Sequence, residues 1–443
     1  MERPTSEIKK ARYGLAVVLA LVVAALPALA TEGILIDGVS AGSAAERAGV
    51  KGGDRLVELG GQSIRSLPDI EAVMGEHQVG DEVRLTVVRD GKRVDLKLTL
   101  GGEPGGSPRM GVMLSMTPDD TVDRSKPISA GEREEILTTI ALELRSGYLY
   151  EDKGNDLAGQ VEKEAGDDRF AGDGSIGAFV SLVNGFLLEI SNDKHLRLRY
   201  GAPPDESAGP RRVVRRDPEP GGHGPEPGQS PDPGHGPGGG SGDYGVREAR
   251  ILEGNIGYLD MGMFAGSEAA KPKIDEAMMS LAGTDALIID LGRNGGGGPW
   301  MVRYLSGFLF PKTTHLTDTW VRGMDSPRER WTLEGQPTDA FVKKPVYILT
   351  SGRTFSAAES FTFGLVINNR VTLVGERTGG GGHFGDMVMV SPDLNLFMPR
   401  GRTYDSATGQ GWEAEGIKPD IKVPYAGARD RAVEAIRATI SVS

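Results

Sequence analysis

Ala286-Leu-Ile-Ile-Asp-Leu-Gly-Arg-Asn-Gly-Gly-Gly-Gly-Pro299 is the stretch whose reading sets the fold class. It opens on an apolar run without alternation, the pattern of a strand covered on both faces in a helix-flanked parallel sheet. Glycines then break the strand, and Pro299 suits the first turn of a helix, where its missing N–H would be unbonded anyway. Strand, glycine turn, helix is the repeating unit of an α/β sheet, and it recurs on both sides. Candidate strands fall at 256–261, 286–291, 346–350, 371–374 and 396–398, with helical stretches at 267–282, 299–309 and 356–367. Residues 246–443 therefore read as one α/β domain.

Upstream, residues 203–245 are about half Gly and Pro with almost no aliphatic content, so they cannot bury enough surface to fold and read as a linker. Its cluster of Arg211, Arg212, Arg215 and Arg216 reads as solvated charge. Residues 119–202 form a helical unit. Ser129 and Glu132 stand at capping-box spacing, Ile136, Ile140 and Leu144 share one helix face, and a second helix fits 176–190. Residues 31–118 read as a β unit. Alternating runs at 81–88 and 94–100 flank an Asp90-Gly91 turn, a hairpin signal, after a first strand at 33–37 and a short helix at 68–74. At the start, Lys9, Lys10 and Arg12 precede an apolar run from Gly14 to Leu26, and Pro27-Ala-Leu-Ala30 supplies small residues for cleavage. Residues 1–30 thus read as an export signal, with an uncleaved anchor as the alternative, which places the rest in the periplasm or outside the cell.

The whole chain has 443 residues, a formal charge of −12 and no cysteine. The missing thiols exclude a disulfide scaffold, thiolate zinc sites and a cysteine nucleophile. The acidic balance argues against nucleic-acid binding, and the sequence offers no metal cluster and no cofactor site.

Of six histidines, His223 and His235 fall in the linker, His77 at a surface turn and His315 in a polar stretch, leaving His195 and His383 as candidate bases. The candidate nucleophile lies in Thr350-Ser-Gly-Arg-Thr-Phe-Ser-Ala-Ala-Glu359, which runs from an apolar strand into a helix. A serine there meets the helix N-terminus, whose free N–H groups favour negative charge on a bound carbonyl oxygen, although Ser356 or Thr354 could equally serve as a plain helix cap. The glycines at 295–298 expose consecutive N–H groups suited to an oxyanion or a phosphate. They lack the Lys-Ser/Thr ending of a phosphate-binding loop and a spaced Gly-x-Gly-x-x-Gly pattern, which disfavours nucleotides. A second run, Gly379–Gly382, reads as a mobile loop just before His383.

Side by side, these segments resemble the C-terminal processing (tail-specific) protease superfamily, in the branch of the tricorn protease core and the interphotoreceptor retinoid-binding-like proteins. The stretches that carry the resemblance are Asn255-Ile-Gly-Tyr-Leu259, Leu287 to Gly297, Thr350-Ser351 with Phe355 to Glu359, Val374 to Gly380, Gly411-Trp412-Glu413 with Gly416 to Asp420, and Asp193-Lys-His-Leu196. The resemblance implies a crotonase-like α/β core with a helical cap, working as a serine endopeptidase without cofactor. The familiar bacterial members use a Ser–Lys dyad, but no lysine stands between Ser356 and Lys418. The tricorn-like arrangement instead implies Ser356 as nucleophile, His195 as base and acid, and Glu413 as the group orienting His195. Backbone N–H groups of Gly296 or Gly297 and of Ala357 would then bind the oxyanion. Tricorn-type sites carry a serine before the histidine where this chain has Lys194, His383 stands close to the vacant lysine position as an alternative base, and Glu415 is a rival to Glu413.

The first β unit resembles a permuted bacterial PDZ domain through Gly42 to Val50 and Gly53-Asp-Arg-Leu-Val57, with Met110-Gly111-Val112 as the implied peptide-carboxylate loop. The reading is an α/β (α+β) multidomain, exported endopeptidase that acts on unfolded or C-terminal protein segments. The alternatives are a non-catalytic binder of hydrophobic ligands or peptides on the same fold, and a PDZ-led scaffold with a lapsed core.

Overall fold

The computed structural model describes residues 33–39, 43–65, 67–89, 91–102, 108–114, 124, 126–166, 168–172, 174–201 and 243–440. The expected export signal and most of the expected linker lie outside these residues.

The N-terminal β unit runs β1 (Ile34–Val39), α1 (Ala44–Arg47), β2 (Arg55–Leu59), β3 (Gln62–Ser63), α2 (Leu67–Gly75), β4 (Glu82–Arg89), β5 (Lys92–Thr99) and β6 (Val112–Leu114). Its antiparallel sheet has the order β5-β4-β2-β1-β6, with β3 on β2. The expected hairpin is present as the β4–β5 pair, in register from Glu82↔Thr99 to Arg89↔Lys92. Asp54, 1% exposed, pins β2 to β4 by taking Arg89 Nε and Nη2 at 2.7 Å each.

The helical unit comprises α3 (Ala130–Gly147), α4 (Glu151–Glu164), α5 (Ile176–Ser191) and a strand, β7 (Arg197–Tyr200). Ser129 and Glu132 close the expected capping box: Ser129 N–H donates to Glu132 Oε2 at 2.8 Å and Glu132 N–H to Ser129 Oγ at 3.2 Å. Helix α4 was not foreseen, because only Gly154, Leu157, Ala158 and Val161 face the core and the rest is charged or polar. Helix α5 ends where Asn192 turns left-handed (φ 53°) and sends the chain into β7.

The C-terminal unit holds β8 (Val246–Leu252), β9 (Ile256–Met261), α6 (Lys271–Ser280), β10 (Ala286–Asp290), α7 (Pro299–Gly307), β11 (His315–Val321), β12 (Arg328–Trp331), β13 (Val346–Thr350), α8 (Ala357–Ile367), β14 (Thr372–Gly375), β15 (His383–Ser391), β16 (Leu394–Tyr404), β17 (Ile421–Lys422) and α9 (Tyr425–Ile440). One sheet has the order β17-β14-β13-β10-β9-β8, parallel except at the β8 edge. As the apolar run at 286–289 requires, both faces of β10 are covered. Leu287 and Ile289 pack with Met301, Leu305 and Phe361 from α7 and α8, while Ala286 and Ile288 pack with Ala428, Ala432 and Ile436 from α9. A second, antiparallel sheet has the order β12-β11-β16-β15, and β7 of the helical unit joins it on β16. That strand exchange anchors the segment carrying His195 to the α/β unit.

Candidate active site

The Ser356 turn lies at the carboxyl end of β13, where ligands of parallel α/β sheets bind. Ser356 has φ 53° and ψ −118°, a conformation that costs a non-glycine residue on the order of 1–3 kcal/mol and clusters at active sites. The surroundings over-determine it. Phe355 N–H donates to Asn294 O at 3.1 Å, Thr354 Oγ1 to Leu291 O at 2.8 Å, and Ser356 N–H to Glu359 Oε2 at 3.0 Å.

Glu359 was not singled out in the sequence, where it reads as a helix-capping glutamate. It is fully buried, and besides Ser356 it accepts Thr378 Oγ1 at 2.5 Å and the N–H groups of Gly380 and Gly381 at 2.7 Å each. Burial raises its pKa while these bonds pull it back. One carboxylate therefore ties the Ser356 turn to the glycine run at 379–382. That run is a packed seam in this structure. A Cβ at Gly381 would lie 2.4 Å from the Phe355 ring and 2.7 Å from His195 Cε1.

His195 reaches this seam from the cap. It is 5% exposed and lies between Phe355 and Phe397, at ring-centroid distances of 4.6 and 5.5 Å. Phe355 is the residue before Ser356, so the imidazole packs against a side chain of the same turn. Among the described residues no hydrogen bond joins the Ser356 hydroxyl to His195, a gap common before substrate closes the site. Burial holds the His195 pKa down at about 4, against the pull of Asp193, so the ring is a neutral base at pH 7.

Glu413 stands beside it. Its Oε2 accepts the N–H of Gly382 at 2.6 Å and of His383 at 2.9 Å. Its Oε1 and the Nδ1 of His195 are both buried without a partner, an acceptor and a donor left over in one place. Burial raises the Glu413 pKa. Glu415, by contrast, is exposed.

His383 faces the other side of this group. Its Nδ1 lies 2.7 Å from Asp193 Oδ2 and 3.7 Å from Glu413 Oε2. Asp193, only 1% exposed, also takes Tyr148 OH at 3.1 Å on Oδ2 and the His195 backbone N–H at 2.9 Å on Oδ1. Asp193 and Tyr148 were not read as site residues. The acid was quoted only as part of the Asp193–Leu196 motif, whose adjacency to His195 was the available signal.

Nitrogen and oxygen atoms of Asp193, His195 and Glu413 lie within 4.8 Å of one another. Both Asp193 oxygens and Glu413 Oε2 already accept hydrogen bonds.

Of the glycines at 295–298, Gly296 packs directly on Ser356: a Cβ there (φ 112°) would lie 2.9 Å from Ser356 Cβ. Here one expectation is corrected. The Gly296 N–H is committed to Asn294 Oδ1 at 2.9 Å and cannot serve an oxyanion. Gly297 and Ala357 offer N–H groups with no acceptor among the described residues.

In the β unit, Met110 is buried and its carbonyl accepts Ala45 N–H at 2.8 Å, while Gly111 (φ 82°) abuts Ser43 and Val112 begins the edge strand β6. Just before this loop, Arg109 reaches the C-terminal unit, with Nη2 3.9 Å from Glu376 Oε2.

Two family profiles match the chain: Peptidase family S41 over residues 255–423 and PDZ domain over residues 14–100. The PDZ match begins inside the segment expected to be the export signal and stops before Met110. The serine protease Do-like HtrA of Lactobacillus helveticus is 39% identical over 71 residues, covering 16% of this chain and 17% of its own length. The periplasmic serine endoprotease DegP of Escherichia coli is 37% identical over 71 residues, covering 16% and 15%. The chain thus spans about a sixth of the length of these curated relatives. Among solved structures, the photosystem II D1 C-terminal processing protease aligns over 89% of this chain and 72% of its own at 13% identity and a TM-score of 0.34. A lipoprotein from Streptococcus agalactiae aligns over 71% and 98% at 16% identity and a TM-score of 0.43. Residues 255–423 are a Peptidase family S41 domain, on a chain that also carries an N-terminal PDZ domain.

Proposed function

We propose that this chain is a serine endopeptidase in which Ser356 attacks the peptide carbonyl, His195 takes and returns the proton, and Glu413 orients His195. The observation that supports the reading is the strained Ser356 backbone next to Phe355, on whose ring a buried, neutral His195 packs, with an unpaired Glu413 oxygen in the same group as His195. A serine hydroxyl is a weak nucleophile until an adjacent base removes its proton, and the base needs a carboxylate to fix its tautomer. In the closed complex Nδ1–H of His195 donates to Glu413 Oε1 and Nε2 faces the Ser356 hydroxyl. The tetrahedral oxyanion falls to the N–H groups of Gly297 and Ala357.

Substrates are extended or unfolded protein segments, recruited by strand addition at the open edge of β6 with the carboxylate held by the Met110–Val112 loop. Export to the periplasm or beyond follows from the charge and apolar pattern of residues 1–30. The test is hydrolysis of an unfolded protein such as casein by the purified chain, beside Ser356→Ala and Glu413→Gln. Loss in both, with fold retained, supports the reading; cleavage by Ser356→Ala overturns it, and an inactive, folded wild type favours the non-catalytic binding alternative.

A further inference from the structure

The second buried histidine has a place that the triad does not use. Its ring faces two carboxylates that must stay close together and away from water: Nδ1 is 2.7 Å from Asp193 Oδ2 and 3.7 Å from Glu413 Oε2, and the His383 main-chain N–H donates to that same Glu413 oxygen at 2.9 Å. The other groups around it are the edge-on Tyr150 ring at 6.1 Å, Arg402 opposite it on β16, Tyr148 through Asp193, and His195 beyond the two acids.

We propose that His383 is a positioning residue for the base: its ring and main-chain N–H hold Asp193 and Glu413 so that Asp193 fixes the His195 backbone and Glu413 presents its remaining oxygen to the His195 imidazole. The inference rests on the Ser356–His195–Glu413 reading and assigns His383 a role other than that of alternative base. Two carboxylates in one buried site repel, and without a donor or a positive charge between them one takes up a proton. A protonated Glu413 no longer accepts a bond from His195. The electrostatics run the same way. Burial raises Glu413 and His383 beside it draws it back. Burial works to raise Asp193 too, yet the bond to His383 holds it below the ordinary carboxylate range.

The role predicts a displaced pH profile rather than a uniform loss. In His383→Ala the acid limb of kcat/KM moves up by about one pH unit or more, since taking a hydrogen-bond donor from between two buried carboxylates disfavours their ionised forms by that order. Activity returns toward wild type as the pH rises and Glu413 ionises. His383→Asn, which can keep a donor to Asp193, lies between the two and keeps the test available if the alanine variant does not fold. Unmoved acid limbs with a lowered plateau would make His383 merely structural and overturn the proposal. So would the loss of fluorophosphonate labelling at every pH in a folded variant, which would make His383 the base. A wild type that neither labels nor cleaves brings down the triad reading itself, and the proposal with it.

Discussion

A single methyl at Gly381 should disable the site without altering any proposed catalytic residue. A Cβ there lies 2.4 Å from Phe355 Cε2 and Cζ and 2.7 Å from His195 Cε1. Carbon contacts settle at about 3.5–4.0 Å, so the His195 ring must retreat by about 1 Å. His195 is wedged between Phe355 and Phe397, so the displacement goes into its distance from Ser356. A misplacement of ~1 Å in a catalytic group costs on the order of 10²-fold in rate. Overpacking of this kind costs about 1–3 kcal/mol in stability, enough to lower the melting midpoint by several degrees without unfolding the protein. The assay is the rate of fluorophosphonate labelling with kcat/KM on a fluorogenic peptide, alongside thermal unfolding. Labelling at the wild-type rate in a folded Gly381→Ala variant would refute the packing of His195 against this seam as the source of its alignment.

Four further expectations follow. Glu359→Gln turns one of two accepting oxygens into a donor among Ser356, Thr378, Gly380 and Gly381, leaving two buried donors unsatisfied at about 1–3 kcal/mol each; a urea midpoint equal to wild type would contradict it. Because burial holds His195 at about 4, the base stays neutral as pH falls, so cleavage should persist near pH 5.5, where a histidine of ordinary pKa (about 6.5) is mostly protonated. The same depressed pKa makes stability fall as pH drops from the ordinary histidine range toward 4, because the unfolded chain takes up that proton first; a stability curve flat across that window would show His195 to be solvated. Asp54→Ala removes the carboxylate that takes two Arg89 donors and costs the PDZ unit about 1–3 kcal/mol, read as faster hydrogen exchange in residues 82–99 with residues 286–350 unchanged; equal exchange in both would refute it.

The sequence was most legible where one physical demand dominates. The apolar runs at 286–289 and 346–350 could only be strands covered on both faces, and the Ser129–Glu132 spacing announced a cap that the structure closes. Strands β11, β12 and β15 were missed because they belong to a sheet with polar positions throughout, and β16 runs from Leu394 to Tyr404 where only 396–398 stood out. Helix α9 did carry a signal in the four-residue spacing of Ala428, Ala432 and Ile436, masked by the charges between them. The partners of the candidate site were less visible, because they meet through the pairing of β7 on β16, and neither strand's sequence specifies the other. Hence Asp193 and Tyr148 went unread, and Gly296 was offered as an oxyanion donor although Asn294, two residues earlier, takes its N–H. The glycines at 379–382 read as mobile because spacing cannot tell a flexible loop from one packed too tightly to hold a side chain.

The most direct measurement is covalent capture of the nucleophile: fluorophosphonate labelling of the full chain, with the adduct located by peptide mapping, in wild type, His195→Ala and His383→Asn. The account predicts an adduct on Ser356 in wild type, none in His195→Ala, and a retained adduct in His383→Asn above neutral pH. An adduct on another serine, or full labelling of Ser356 without His195, would contradict it.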